Sequence, residues 1–71
     1  MAVTIRFETG EAQEAYEQNI ITNLQNNGLT ASYLPRQFPP VLLVPDADIN
    51  EPVILDIKEY DGVTVEEVQM D

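Results

Sequence analysis

The chain of 71 residues contains neither cysteine nor histidine. These absences exclude disulfide frameworks, zinc sites with nitrogen or sulfur ligands, and catalysis by a cysteine or histidine side chain. We expect no cofactor, no metal centre and no catalytic residue. A lone core in so short a chain seldom supplies more than a few kcal/mol of stability, so binding to a partner or to a second copy remains as a reinforcement.

Long apolar runs are also missing. The longest, Val41-Leu42-Leu43-Val44, has a proline on each side, whereas a membrane span needs roughly 20 apolar residues. The N-terminal Met1-Ala2-Val3-Thr4 lacks the basic and apolar segments of a signal peptide. We therefore expect a cytoplasmic protein with no membrane partner.

Basic residues are scarce, since three Lys and Arg stand against thirteen Asp and Glu, for a net charge of −10. No basic residue lies between Arg6 and Arg36, although four glutamates fall in that interval. Such carboxylates repel one another, repel nucleic acid and attract a basic surface. The charge predicts a partner with a basic protein surface, such as a nucleic-acid-binding protein, and no direct binding of nucleic acid.

The apolar fraction of 44% is close to that of globular proteins, which argues against a disordered acidic tail. A chain of this length buries only roughly 60% of the surface of its unfolded form. We expect one folded domain spanning residues 1–71. A homo-oligomer is compatible with this size.

Hydrophobic periodicity predicts the first two elements. Apolar and polar residues alternate over residues 3–8, as in a half-buried strand. From residue 11 to 27 apolar residues recur every four positions, as in an amphipathic helix. Thr9 is placed to cap this helix, and Gly28 is placed to end it.

The remaining pattern predicts three or four short strands. Residues 29–34, 41–44, 53–60 and 63–68 are the candidates, with Asp61-Gly62 as the turn of a C-terminal hairpin. Both a two-residue and a three-residue turn fit the hairpin. The predicted class is α+β, with one amphipathic helix on a mostly antiparallel sheet of four to five strands in the order β-α-β-β-β-β.

The acidic residues are the candidate binding residues. Glu11, Glu14 and Glu17 step by three along the predicted helix, and each step advances roughly 4.5 Å along its outer surface. Duplex DNA carries a charge every roughly 1.7 Å, so this ridge imitates it only crudely. The other acidic candidates come from the predicted strands and their ends: Glu8, Asp56, Glu66 and Glu67. A solvated face that serves solubility alone is the competing interpretation.

Two further motifs have competing interpretations. Phe38 lies among prolines and is either an anchor for a partner or a plug that folds into the core. The segment Asp46-Ala47-Asp48-Ile49-Asn50 resembles the start of a calcium-binding loop, but Glu51 stands where that loop requires glycine. We interpret the segment as a polar turn.

These observations favour a non-enzymatic, acidic protein–protein interaction module. In physical character alone, without a shared motif, the chain resembles phage-encoded inhibitors and nucleic-acid mimics. The alternative is a small structural subunit that docks to a larger complex and uses its charge for solubility.

Overall fold

The computed structural model describes residues 2–37 and 40–68. The elements in chain order are β1 (Ala2–Phe7), α1 (Gly10–Asn26), β2 (Ser32–Tyr33), β3 (Val41–Pro45), α2 (Pro52–Lys58) and β4 (Val63–Val68). The four strands form one antiparallel sheet in the order β2-β3-β1-β4. This is the split β-α-β arrangement, in which each helix connects two parallel strands that have another strand between them. The predicted α+β class is confirmed.

Strand β1 supplies the centre of the core. Val3, Ile5 and Phe7 are fully buried, and the residues opposite them in β3 and β4 share their face of the sheet. The core residues come from this face, from the helices that cover it and from the loop between β3 and α2: Val3, Ile5, Phe7, Ile20, Leu24, Leu42, Val44, Ala47, Val53, Ile54, Ile57, Val63 and Val65. The opposite, helix-free face carries Thr4 at its centre, between Leu43 and Glu66.

Helix α1 forms as its sequence predicts. The Thr9 Oγ1 atom accepts a hydrogen bond from the Ala12 N–H at 3.1 Å and caps the first turn. At the other end Gly28 has φ 75°, and its N–H donates to the Gln25 carbonyl while the Leu29 N–H donates to the Leu24 carbonyl. These two bonds define a Schellman motif, which requires the left-handed conformation that glycine adopts without strain.

The predicted strand over residues 53–60 is wrong, because Pro52–Lys58 forms helix α2. Pro52 stands in the first turn, where its missing N–H has no intrahelical partner to lose. Val53, Ile54 and Ile57 are buried, and their spacing of one and three positions fits one face of a helix. The β-branched residues favour a strand locally, and burial on the core overrides that preference.

The predicted hairpin at Asp61-Gly62 is therefore wrong as well. These residues connect α2 to β4, and β4 pairs with β1. Gly62 has the left-handed conformation that a hairpin turn would also require, with φ 80°. Here it lies in the turn between helix α2 and strand β4. The predicted second strand over residues 29–34 shortens to β2, Ser32–Tyr33.

Neither helix within residues 2–37 and 40–68 combines the length and apolar character needed to cross a membrane.

Two adjacent substitutions test helix α2. Ile54 is fully buried and Leu55 is 44% exposed, so Ile54→Ala is expected to lower the free energy of unfolding by about 2–5 kcal/mol. Leu55→Ala is expected to lower it by less than about 1 kcal/mol. Urea denaturation of both variants measures the difference. A larger loss for Leu55→Ala than for Ile54→Ala would indicate the predicted strand over residues 53–60, because Leu55 would then share the core face with Val53.

Candidate acidic interaction surface

The acidic side chains lie at both ends of the sheet. Glu8 follows β1, Glu11 lies in the first turn of α1 and Asp61 precedes β4, so these three lie at the end of the sheet where β1 finishes. We call this the pocket end. At the opposite end β1 begins beside Pro45 and Val68. Asp46, Asp48, Glu51 and Glu67 lie there, so the carboxylates do not form a single acidic flank.

An open pocket of about 410 Å³ lies at the pocket end. Three acidic residues line it together with small, polar and aromatic ones: Glu8, Glu11, Asp61, Ala12, Ala15, Tyr16, Thr9 and Gly62. The small side chains of α1 leave the space, and the acidic residues lie along its open rim. Carboxylates beside an aromatic ring are the groups that recognise an ammonium or guanidinium cation.

Backbone and side-chain contacts hold the pocket end together. The Glu8 N–H donates to the Gly62 carbonyl at 2.8 Å, and the Thr64 hydroxyl donates to the Glu8 carboxylate at 3.3 Å. The Tyr16 and Tyr60 rings stack with their centroids 4.7 Å apart. These contacts join the end of β1, helix α1 and the α2–β4 turn, so Glu8 and Asp61 are positioned by different parts of the chain.

The helical ridge of Glu11, Glu14 and Glu17 winds around α1. Glu11 and Glu14 are exposed, whereas Glu17 is half-buried and accepts a hydrogen bond from the Gln13 amide at 2.7 Å. Each step of three residues turns about 60° less than a full circle, which carries the ridge from the pocket side of α1 to the side that faces β2. The expectation that all three carboxylates are exposed to solvent is met by the first two.

Glu17 contributes to the environment of Tyr33. The pKa of Tyr33 is raised to about 12 by partial loss of water, by the hydrogen bond that its hydroxyl donates to the Glu17 carboxylate, and by charge repulsion from that carboxylate. A hydrogen bond with Gln13 acts in the opposite direction. Tyr33 remains 43% exposed, so this pair lies at the surface between β2 and α1.

The other predicted residues lie apart from the pocket. Asp56 is exposed on α2, so it is not the strand residue that the predicted hairpin required. Glu66 and Glu67 are exposed in β4 and, as adjacent strand residues, point to opposite faces. Phe38 lies outside the described residues.

Within residues 2–37 and 40–68 one ion pair is present. Arg6 Nη1 lies 4.0 Å from Glu66 Oε1, and both side chains are 57% exposed. An exposed pair of this kind contributes about 0–1 kcal/mol and is screened by salt. It leaves most of the negative charge without a partner in the described part of the chain.

The segment that resembles a calcium-binding loop forms a polar turn, which confirms that interpretation. The Asp48 carboxylate accepts a hydrogen bond from the Asn50 N–H at 2.9 Å, and the Glu51 carboxylate accepts one from the Asp48 N–H at 3.2 Å. Among the described residues, no three acidic side chains are grouped so that they could hold a metal ion.

Asp61 and Tyr16 are the charged and the aromatic pocket residue that the predicted set lacks. The Asp61-Gly62 pair is typical of a hairpin turn, and the helical stripe assigns Tyr16 to the core. Only the position of α2 brings Asp61 beside α1. The sequence gives one indication of a pocket at this place: Ala12 and Ala15, close to Glu11, have small side chains.

No family model matches this chain, and neither characterised proteins nor solved structures were found to be similar to it.

Substitution of Gly62 tests the close approach of the α2–β4 turn to helix α1. A Cβ at position 62 would lie 3.0 Å from the Cβ of Ala12, and φ is positive, so Gly62→Ala is expected to destabilise the protein by about 1–3 kcal/mol. Gly28→Ala has the same backbone strain without the contact and should have a smaller effect of about 1 kcal/mol. Gly10→Ala, with open space and no positive φ, is the control. Equal thermal midpoints for Gly62→Ala and Gly10→Ala would contradict this account.

The Tyr33 environment predicts a loss of stability in strong base. Because the folded-state pKa is about 12 and the unfolded value is about 10, the unfolded chain loses the tyrosine proton first. Stability is therefore fully present below about pH 10 and falls between about pH 10 and pH 12. Chemical denaturation at several pH values should show a smaller decline for Tyr33→Phe.

A spectroscopic control isolates the same group. In the double variant Tyr16→Phe/Tyr60→Phe, ultraviolet absorbance reports ionisation of Tyr33 alone. Glu17→Gln should then lower the Tyr33 pKa toward its ordinary value, since the carboxylate is one cause of the shift. An unchanged titration curve would show that Glu17 has no part in it.

Proposed function

We propose that this chain is a non-enzymatic acidic interaction module that occupies a basic surface of a partner protein. The observation that supports it is charge without local compensation: a net charge of −10 accompanied, in the described ranges, by one exposed ion pair. Self-repulsion of this size lowers the stability of a small fold, and a cationic partner relieves it. A partner that normally receives nucleic acid has such a surface, so the chain acts as a competitor or inhibitor.

The pocket end gives this proposal a specific contact. A lysine or arginine of the partner enters the depression beside Tyr16 and pairs with the carboxylates of Glu8, Glu11 and Asp61. Several carboxylates close to one cation attract it more strongly than a single exposed carboxylate does, because their Coulomb attractions add. The rest of the acidic surface accelerates association by steering the partner.

A structural subunit is the second candidate, and the helix-free face of the sheet favours it. Leu43 and Val68 are half-buried on this face, and the buried Ala2 lies opposite Val68. Docking through these residues would bury apolar area, and such an interface depends weakly on salt. Salt dependence of partner binding therefore separates the two candidates.

The pocket is tested by removing its charge. A partner is first retained from a lysate at low salt, identified and purified. The double variant Glu11→Gln/Asp61→Asn is then expected to weaken its binding by roughly five- to thirtyfold, because two close charge pairs are lost. Isothermal titration at several salt concentrations measures this, and affinity of the wild type should fall steeply as salt rises.

The matched control removes the same charge at the other end of the sheet. Asp46→Asn/Asp48→Asn retains the side-chain oxygen that accepts from Asn50 and should weaken binding by less than threefold. Equal losses in the two double variants would show that net charge acts without a specific contact. Affinity that does not vary with salt would contradict the proposal and favour the structural subunit.

A further inference from the structure

The two edges of the sheet differ in length. β2 has two residues, whereas β4 has six and, within residues 2–37 and 40–68, pairs on one side only, with β1. Short edges are one of the devices that protect a sheet against pairing with another chain. A six-residue edge without proline or a bulge has unpaired backbone groups with which another strand can pair, and its two exposed glutamates oppose a strand that is not basic.

The ladder identifies which backbone groups of β4 face outward. The Glu8 N–H donates to the Gly62 carbonyl at 2.8 Å, so residues 62, 64, 66 and 68 direct their backbone groups toward β1, because antiparallel pairs alternate. Val63, Val65 and Glu67 therefore direct theirs away from the sheet. The Val63 N–H is used within the turn, where it donates to the Tyr60 carbonyl at 3.3 Å. The N–H groups of Val65 and Glu67 are the outward donors.

The side chains next to these donors define the charge of an incoming strand. Glu66 lies on the helix-free face, opposite Thr4, and Glu67 lies on the other face, opposite Val3. Both are exposed. The contact of Glu66 with Arg6 is long and exposed, so it competes weakly with a new partner. Opposite charges directly across a ladder are stabilising, and like charges are destabilising.

We propose that the free edge of β4 binds an extended basic segment of the partner by strand addition. The segment pairs its backbone with Val65 and Glu67 and places two consecutive lysine or arginine residues opposite Glu66 and Glu67, one on each face. The basic character of the segment rests on the proposed function, whereas the edge itself follows from the topology. A second copy of the chain is disfavoured at this edge, since two chains of net charge −10 repel each other.

Amide hydrogen exchange on the full chain tests this inference. The probe is a capped peptide of about six residues, with alternating valine and threonine around two central lysines. In the free protein the amides of Val65 and Glu67 should exchange rapidly, and the peptide should slow both at least about tenfold. The amides of Thr64 and Glu66 already pair with β1 and should change little.

Two control peptides separate backbone pairing from charge. One has its pairing amides N-methylated and should give no protection, and the other has glutamates in place of the lysines and should bind at least about tenfold more weakly. The variant Glu66→Gln/Glu67→Gln should weaken binding of the lysine peptide by roughly three- to tenfold, compared with less than twofold for Asp46→Asn/Asp48→Asn.

Three results would overturn the inference. Binding of the lysine peptide without protection of Val65 and Glu67, for example with signal changes at Glu11 and Asp61 alone, would reject strand addition and leave the proposed function standing. Protection that rises with protein concentration in the absence of peptide would assign the edge to a second copy. No binding of the peptide at low salt would reject the edge site, and the proposed function would then depend on the pocket variants alone.

Discussion

The alternation of apolar side chains along β1 is the constraint on which the rest of the structure depends. Val3, Ile5 and Phe7 expose none of their surface, and they direct one face of a central strand toward both helices. β3 and β4 pair on either side of this strand, so their registers place Leu42 and Val65 opposite Ile5. A shift of one residue in either register would turn that strand's apolar side chains away from the core.

In this molecule the residues that stabilise the fold are distinct from the residues that carry charge. The described residues include no buried polar or charged side chain, so the core is held by apolar packing and the carboxylates lie in solvent or at its boundary. Their mutual repulsion opposes the compact state, and the exposed ion pair between Arg6 and Glu66 offsets little of it. Substitutions of the exposed acidic residues therefore leave the apolar core intact.

The candidate binding surface could be predicted only in part. Exposure of Glu8, Glu11 and Glu14 follows from their positions outside the apolar alternation and stripe, because those positions point away from the core. The pocket could not be foreseen, since Asp61 reaches α1 only through the α2–β4 turn. The outer edge of β4, which has no paired strand within residues 2–37 and 40–68, could not be predicted either, because the predicted hairpin paired that strand with residues 53–60.

Sequence alone determined the elements whose signals are local: the period-two pattern of β1, the stripe of α1, the Thr9 cap and the Gly28 stop. These follow from backbone geometry and hydrogen bonds within a few residues. Tertiary structure decided the state of residues 52–58, whose β-branched side chains favour a strand locally. The free energy gained by burying these side chains on one face of a helix exceeds the free energy lost by giving up the strand conformation, because removing apolar surface from water outweighs intrinsic propensity.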